Sequence, residues 1–227
     1  MLRGLLHAVA APGRGSALVD IGCGTGGNIG AFASEYRALG LDPSPDAIAF
    51  ARERFPGVQF VQTEDPALAQ DHLRGGGTIL MTDVLEHVVG DRDLLTRAAA
   101  ILPPGGHLIL TVPADPALWS SHDVEFGHVR RYRADEFREL WSALPVDQRL
   151  LSFFNARLEP AIRAIRRMGQ GRPARSGGDL RVPAGPFNGA LRRVFAGEAS
   201  ALVAAIDSGS APYTHGVSLV AVLRVRG

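Results

Sequence analysis

Two stretches concentrate the residues able to do chemistry. The first, LVDIGCGTGG (18–27), sets Asp20 just ahead of Gly22, Gly24 and Gly27 and follows an apolar run. Glycines at G-x-G-x-x-G spacing let a backbone pass close to a ligand, and a second carboxylate, Asp42, lies downstream, so a nucleotide-type site is the first reading. The second stretch, WSSHDVEFGHVRRYR (119–133), crowds His122, Asp123, His128, Arg130, Arg131 and Tyr132 together. Such groups can take up a proton, and Arg130 with Arg131 could clamp an anion; equally, they could order a loop by bonding one another. Between them DVLEHV (83–88) adds Asp83, Glu86 and His87.

Asp20 narrows the ligand. A carboxylate before the first glycine repels a pyrophosphate but suits an ammonium group. S-adenosylmethionine carries an amine and a sulfonium without phosphate, and its ribose offers two hydroxyls that Asp42 could accept. A glycine-rich turn closing a strand onto a helix would account for the glycines but not for both aspartates. Asp20 therefore disfavours a nicotinamide or nucleotide-sugar enzyme.

The elements that must position these residues alternate in type. SALVDI (16–21), LGLD (39–42), VQFVQT (58–63), TILMTD (78–83) and HLILTVP (107–113) read as buried strands. Helical patterns separate them at 28–38, at 44–55 with Ser44 as N-cap and Pro45 in the first turn, and at 91–102 before Pro103 and Pro104. Strands spaced by helices predict a doubly wound parallel sheet, which binds ligands outside the carboxyl ends of its strands. Beyond it, 134–144 looks helical, while 148–154 and 217–225 look like strands. Between those two strands lies a long insertion whose middle, 169–186, is rich in Gly, Pro and Arg, as a mobile loop would be.

The chain has 227 residues, 46% of them hydrophobic and 21% charged, which suits a globular protein with one sizeable core. A formal charge of +1 and the lack of a basic module give no pull toward nucleic acid, although all 24 basic residues are arginine. Cys23 stands alone, so no internal disulfide can form. No apolar stretch approaches the roughly 20 residues of a membrane span, and residues 1–14 lack a signal-peptide core. A cytoplasmic protein is the expectation.

VDIGCGTGG followed by LGLDPS, TILMTDVLEHV and LPPGGHLILTVPA resembles the class I S-adenosylmethionine-dependent methyltransferases, strongly over 16–113. The resemblance implies a Rossmann-like, mostly parallel seven-stranded sheet forming one domain over 1–227, with a cofactor-binding core at 16–113. It places Asp20, Gly22, Cys23 and Gly24 in the methionine-binding turn and Asp42 with Pro43 at the ribose. Glu64 or Asp65 would face the adenine, and Asp83 with Val84 would line the site after the fourth strand. A short helix within 2–11 would precede the first strand. A sixth strand and an antiparallel seventh would complete the sheet, with a substrate cap inserted at 156–211 before the last strand. Nine arginines between Arg157 and Arg193, including Arg166 and Arg167, make that insertion basic.

The expected reaction is methyl transfer to a small-molecule acceptor, at oxygen, with an anionic acceptor as one option. Methyl transfer needs alignment and, for a hydroxyl, a proton acceptor; His128 is the preferred base, with His87 second. GHVRRY resembles a signature of one bacterial branch of these enzymes. Asp83, Glu86 and His87 also resemble the acidic-x-x-Glu-His metal ligands of ubiquinone-biosynthesis O-methyltransferases and small-RNA 2′-O-methyltransferases, which His122 or His128 could complete; no metal is expected here. Alternatives are methylation at nitrogen or carbon, an RNA substrate, and a non-catalytic S-adenosylmethionine-binding subunit.

Overall fold

The apolar runs become strands, and the helical patterns between them carry the chain back across the sheet. In the computed structural model, which describes residues 1–13, 15–157, 159–160, 162–164 and 197–227, helix α1 (Leu2–Val9) precedes β1 (Ala17–Ile21). The other strands are β2 (Arg37–Asp42), β3 (Gln59–Gln62), β4 (Gly77–Thr82), β5 (His107–Pro113), β6 (Val146–Phe154) and β7 (Ser218–Val225). They form one seven-stranded sheet in the order β3-β2-β1-β4-β5-β7-β6. The first five strands pair in parallel, and β7 runs antiparallel to both β5 and β6. All five residues of β1 are buried, as expected of a parallel strand covered on both faces.

Two apolar layers flank the sheet. Val19, Leu41, Ile79 and Leu110 belong to one, with Leu94, Leu95 and Ala98 of α4 (Asp91–Ala100). Leu18, Leu80, Ile109 and Val220 belong to the other, with Leu5, Leu6, Ile29 and Ile48. Residues 197–205 are helical, and their Leu202 and Ala205 join this second layer. Since β1 lies between β2 and β4, the loops after β1 and β4 open a crevice at the carboxyl edge of the sheet.

The structure shortens two helices read from the sequence. The pattern over 28–38 yields α2 at Gly27–Gly30 only, and β2 already begins at Arg37. The intervening backbone makes i+3 bonds, Ala31 N–H to Asn28 O, Phe32 N–H to Ile29 O and Glu35 N–H to Phe32 O, so it continues as turns. Phe32 and Tyr36 are nevertheless buried, which explains why their spacing looked helical. Likewise α6 covers Ala134–Glu139, with Leu140, Trp141 and Ser142 in i+3 turns. By contrast α3 (Pro45–Arg54) matches its pattern, and Ser44 caps it by accepting from Ala47 N–H at 3.2 Å. Of the expected cap insertion, residues 165–196, with Arg166, Arg167 and the 169–186 loop, lie outside the described residues.

Candidate active site

The crevice holds a cavity of about 550 Å³, within the usual range for a small-molecule site. Its lining begins at Ile21 and Gly22. Gly22 has φ +73°, and a Cβ there would lie 2.5 Å from a Val84 methyl, so only glycine lets the loops after β1 and β4 close on each other. Both Gly22 and Cys23 donate their N–H groups to Leu41 O, at 2.8 and 3.0 Å. The third glycine of the spacing needs revision: Gly26, at φ +79°, is the left-handed N-cap of α2, and Gly27 simply opens the helix. Adjacent glycines hid which one the turn requires.

Asp42, at the end of β2, lines the cavity and organises the turn. Its Oδ2 accepts Gly24 N–H at 2.8 Å and its Oδ1 accepts Ser44 N–H at 2.9 Å, leaving each oxygen a further lone pair. Pro43, Thr63 and Glu64 continue the wall. Of the two acidic candidates after β3, Asp65 caps the 3₁₀ turn Pro66–Ala69 through Ala67 N–H and pairs with Arg97, whereas Glu64 makes no such bond among the described residues. Asp83 and Val84 close the wall after β4. Asp83 adopts φ +56°, unusual for a residue with a Cβ, and its carboxylate accepts Thr111 Oγ1–H at 3.2 Å. Burial raises its pKa.

Asp20 and Cys23, expected in the methionine-binding turn, are both buried. Asp20 is 1% exposed and lies under the turn, where burial, and then the Asp42 charge, push its carboxyl up to about 7 against an Ile29 N–H bond. Its Oδ1 has no partner. Alternation along β1 directs Asp20 to the α2 side of the sheet, while Ile21 meets the cavity. Cys23 is likewise buried, and burial pushes its thiol up to about 12, an unreactive form. Neither Asp20, Cys23 nor Gly24 belongs to the cavity lining.

The far end of the cavity is formed by His87, Val88 and Val89, with Leu94 and Arg97 of α4 behind them. His87 lies on a 3₁₀ turn, Leu85–His87. Burial, and then neighbouring His128, lower its pKa, against a hydrogen bond to the Gly127 backbone. The His128 ring stands edge-on to it, with centroids 4.8 Å apart. His128 follows the short helix α5 (Ser121–Glu125), and its Nδ1 bonds Asp123 Oδ1 at 2.9 Å. Glu86 is fully buried beside them with neither oxygen bonded; burial, and then Asp83, push its carboxyl up to about 8.

The rest of the second stretch is scaffold. Arg131 donates Nε–H to Asp123 Oδ1 at 2.7 Å and Nη1–H to Ala114 O at 2.9 Å. Arg130 donates to Asp91 Oδ2 at 2.7 Å and to Val89 O at 3.0 Å. Tyr132 donates its hydroxyl to the same Asp91 oxygen at 2.7 Å, and its backbone pairs with the end of β5. The anion clamp read into Arg130 and Arg131 is therefore already closed on internal carboxylates. The His122 ring packs against Phe126, tilted by 46° with centroids 4.4 Å apart. Asp91, the anchor of Arg130 and Tyr132, escaped the sequence reading because its position in the first turn of α4 already explained an acidic residue.

The lining residues fit S-adenosylmethionine better than a dinucleotide. Asp42, Glu64, Asp65 and Asp83 put four carboxylates around the cavity, and its arginine, Arg97, is paired with Asp65 and Asp93. Such a lining favours a cation and disfavours a pyrophosphate. For a metal ion the fit is poorer. Among the described residues Glu86, His87 and His128 offer donor atoms spread over as much as 4.8 Å, wider than the roughly 4.2 Å that two opposed metal–nitrogen bonds span. Asp83 and His122 are not in that group.

Comparison with known proteins agrees. Residues 1–157 match the methyltransferase domain family. A trans-aconitate 2-methyltransferase of Methylobacterium nodulans is 36% identical over 108 residues, covering 46% of this chain and 40% of that protein. The chain thus matches about two fifths of the length of such relatives. The fold is shared with a TehB-like methyltransferase of Corynebacterium glutamicum, at TM-score 0.53 and 15% identity, covering 98% of this chain and 88% of that one. It is also shared with phosphoethanolamine N-methyltransferase 2 of Haemonchus contortus, at TM-score 0.58 and 16% identity, covering 99% and 52%. No helix among the described residues is long and apolar enough to cross a membrane. With the family match spanning more than half the chain, and the glycine turn, Asp42 and the seven-stranded sheet in place, this protein belongs to the class I S-adenosylmethionine-dependent methyltransferases.

Proposed function

We propose that the protein transfers a methyl group from S-adenosylmethionine to a hydroxyl of a small molecule, with His128 as the proton acceptor. The observation that carries this reading is one cavity with two unlike ends: carboxylates and a glycine turn at one, and His87 backed by an Asp123-held His128 at the other. The donor, when bound, supplies an electrophilic methyl on a sulfonium.

Each wall then has its task. Gly22 gives close approach, Asp42 accepts the ribose hydroxyls, and Glu64 stands where the adenine amine would be met. Asp20 is buried beneath the turn, with Ile29 N–H on its carboxyl. At the other end His87, kept uncharged by burial, orients the acceptor, and His128 removes the hydroxyl proton as the oxygen attacks. A proton acceptor matters for a hydroxyl and is superfluous for a carboxylate, which is why the histidine pair supports the first. The resemblance to trans-aconitate methyltransferases supports an oxygen acceptor more broadly.

Incubation with isotopically labelled methyl donor and a panel of hydroxylated metabolites, with the tricarboxylate trans-aconitate as a carboxylate comparison whose labelling in place of the hydroxyls would overturn the hydroxyl reading, tests the proposal. Label on a hydroxyl oxygen is the expected result. Label on nitrogen or carbon overturns the acceptor atom; cofactor binding without turnover across the panel favours the non-catalytic subunit.

A further inference from the structure

We infer that Asp123 is a positioning residue, holding the His128 imidazole with Nδ1 as donor so that Nε2 faces the acceptor. The inference rests on the reading of His128 as the base.

The two oxygens of Asp123 have different tasks. Oδ2 accepts Ser120 N–H at 2.8 Å and Ser120 Oγ–H at 3.0 Å, which is the capping box of α5. Oδ1 accepts Arg131 Nε–H at 2.7 Å and His128 Nδ1–H at 2.9 Å. The same residue also receives His128 through the backbone, since His128 N–H donates to Asp123 O at 2.8 Å. Main chain and ring of His128 are thus tied to one buried residue, and the ring has little freedom to turn. A scaffold carboxylate would need only the cap and the arginine. The third bond, to a ring nitrogen whose tautomer it selects, is what a base requires.

The anchor is stiff. Asp123 is fully buried, and Arg131 links it to Ala114 O just past β5, so the geometry of the sheet edge passes to the imidazole. Although burial pushes the Asp123 carboxyl up, the Arg131 and His128 bonds hold it below the usual carboxylate range, and it remains the anion that an imidazolium formed during proton transfer would need. The other charged or titratable groups facing His128 are His87 and Glu86 on the turn after β4, Asp83 at the end of β4, and Arg131.

The test is Asp123→Asn, read by kinetics rather than by activity alone. Turnover is expected to fall roughly 10²-fold, with the acceptor KM and S-adenosylhomocysteine affinity near wild type. The acidic limb of the rate profile should move to lower pH, because the imidazolium loses its anionic partner. Lower melting with unchanged turnover per folded molecule and an unchanged pH profile overturns the inference. Ser120→Ala, which removes a donor from Oδ2 alone, should melt earlier and keep the wild-type profile; a profile shift as large as that of Asp123→Asn would trace the effect to loop order and overturn it too. Should Asp123→Asn not fold, proton NMR of the wild type decides: a low-field Nδ1–H signal that vanishes in His128→Gln supports the bond, and an Nε2–H tautomer refutes it. Full turnover in His128→Ala would instead sink the base reading itself, a result separable from all of these.

Discussion

At the end of the cavity built after β1, β2 and β3, backbone shapes the space and carboxylates face it; at the end built after β4, Asp83 and His87 face it, and the loop after β5 packs behind His87 with its side chains bonded to one another. Gly22, Gly24 and Gly26 take left-handed conformations within five positions of each other, and Asp42 reaches Gly24 across a parallel strand pair. Opposite them Arg130 reaches Asp91 across 39 positions and Tyr132 reaches Leu85 across 47. One end is written in local backbone requirements and the other in side-chain pairing, some of it long-range. The first tolerates few residue types and many acceptors; the second ties its polar groups down and exposes few of them to whatever the enzyme methylates.

The comparison breaks first at His128. If His128, packed behind His87, is chemical and its neighbours are scaffold, His128→Ala should lower turnover by about 10² to 10⁴, with melting temperature and S-adenosylhomocysteine affinity close to wild type. Steady-state kinetics and thermal melting on one preparation check this. Early melting with normal activity per folded molecule would make His128 one more strut.

Asp42→Ala probes the opposite end. Removing a carboxylate that accepts two ligand hydroxyls should weaken S-adenosylhomocysteine by about 2 to 3 kcal/mol, or roughly 30- to 150-fold. Calorimetric titration reads the loss. Part of it will come from the turn, because Gly24 and Ser44 lose their acceptor at the same time. Unchanged affinity would mean that Asp42 serves the turn and not the ribose.

Legibility in the sequence follows the same division. The strands were readable because each is a short apolar run ending in punctuation, and the ligand-facing loops because a left-handed glycine or a carboxylate at a strand end leaves a local signature. What Asp20 does was harder to see. Its charge pointed to the right ligand class, yet strand alternation buries it on the far face, under the turn. That the polar groups of 119–133 could order their loop by bonding one another was legible, and Asp123 with His128 and Arg131 does so; the pairing of Arg130 with Asp91 was not, since no local rule states which distant carboxylate an arginine will meet after folding.

Asp20 supplies a smaller effect, on stability. Burial, and then the Asp42 charge, push its carboxyl from the ordinary 3.8 up to about 7, so the folded state binds the proton more tightly. The favourable contribution is present below the unfolded value and is lost as pH rises toward the folded one. Asp20→Asn has no such dependence. The melting temperature of Asp20→Asn minus that of wild type should therefore grow between pH 4 and pH 7, about the window those two values define. A difference that stays constant with pH would show that burial does not hold the proton there.

The smallest expected effect is none, and it concerns the buried acid beside the histidines. Glu86 has two unbonded oxygens among His87 and His128, a donor set that a borderline transition ion would accept by chemistry alone. Geometry argues the other way, because the donors spread over as much as 4.8 Å, so an ion would have to draw the loops after β4 and β5 together. Treatment with a chelator should leave turnover unchanged, and added Mn²⁺ or Zn²⁺ should bind weakly by calorimetry. Activity lost to the chelator and restored by one ion would move proton activation from His128 to a metal-bound hydroxyl. The two ends of the cavity would then differ more deeply, one arranged for an organic cation and the other for an inorganic one.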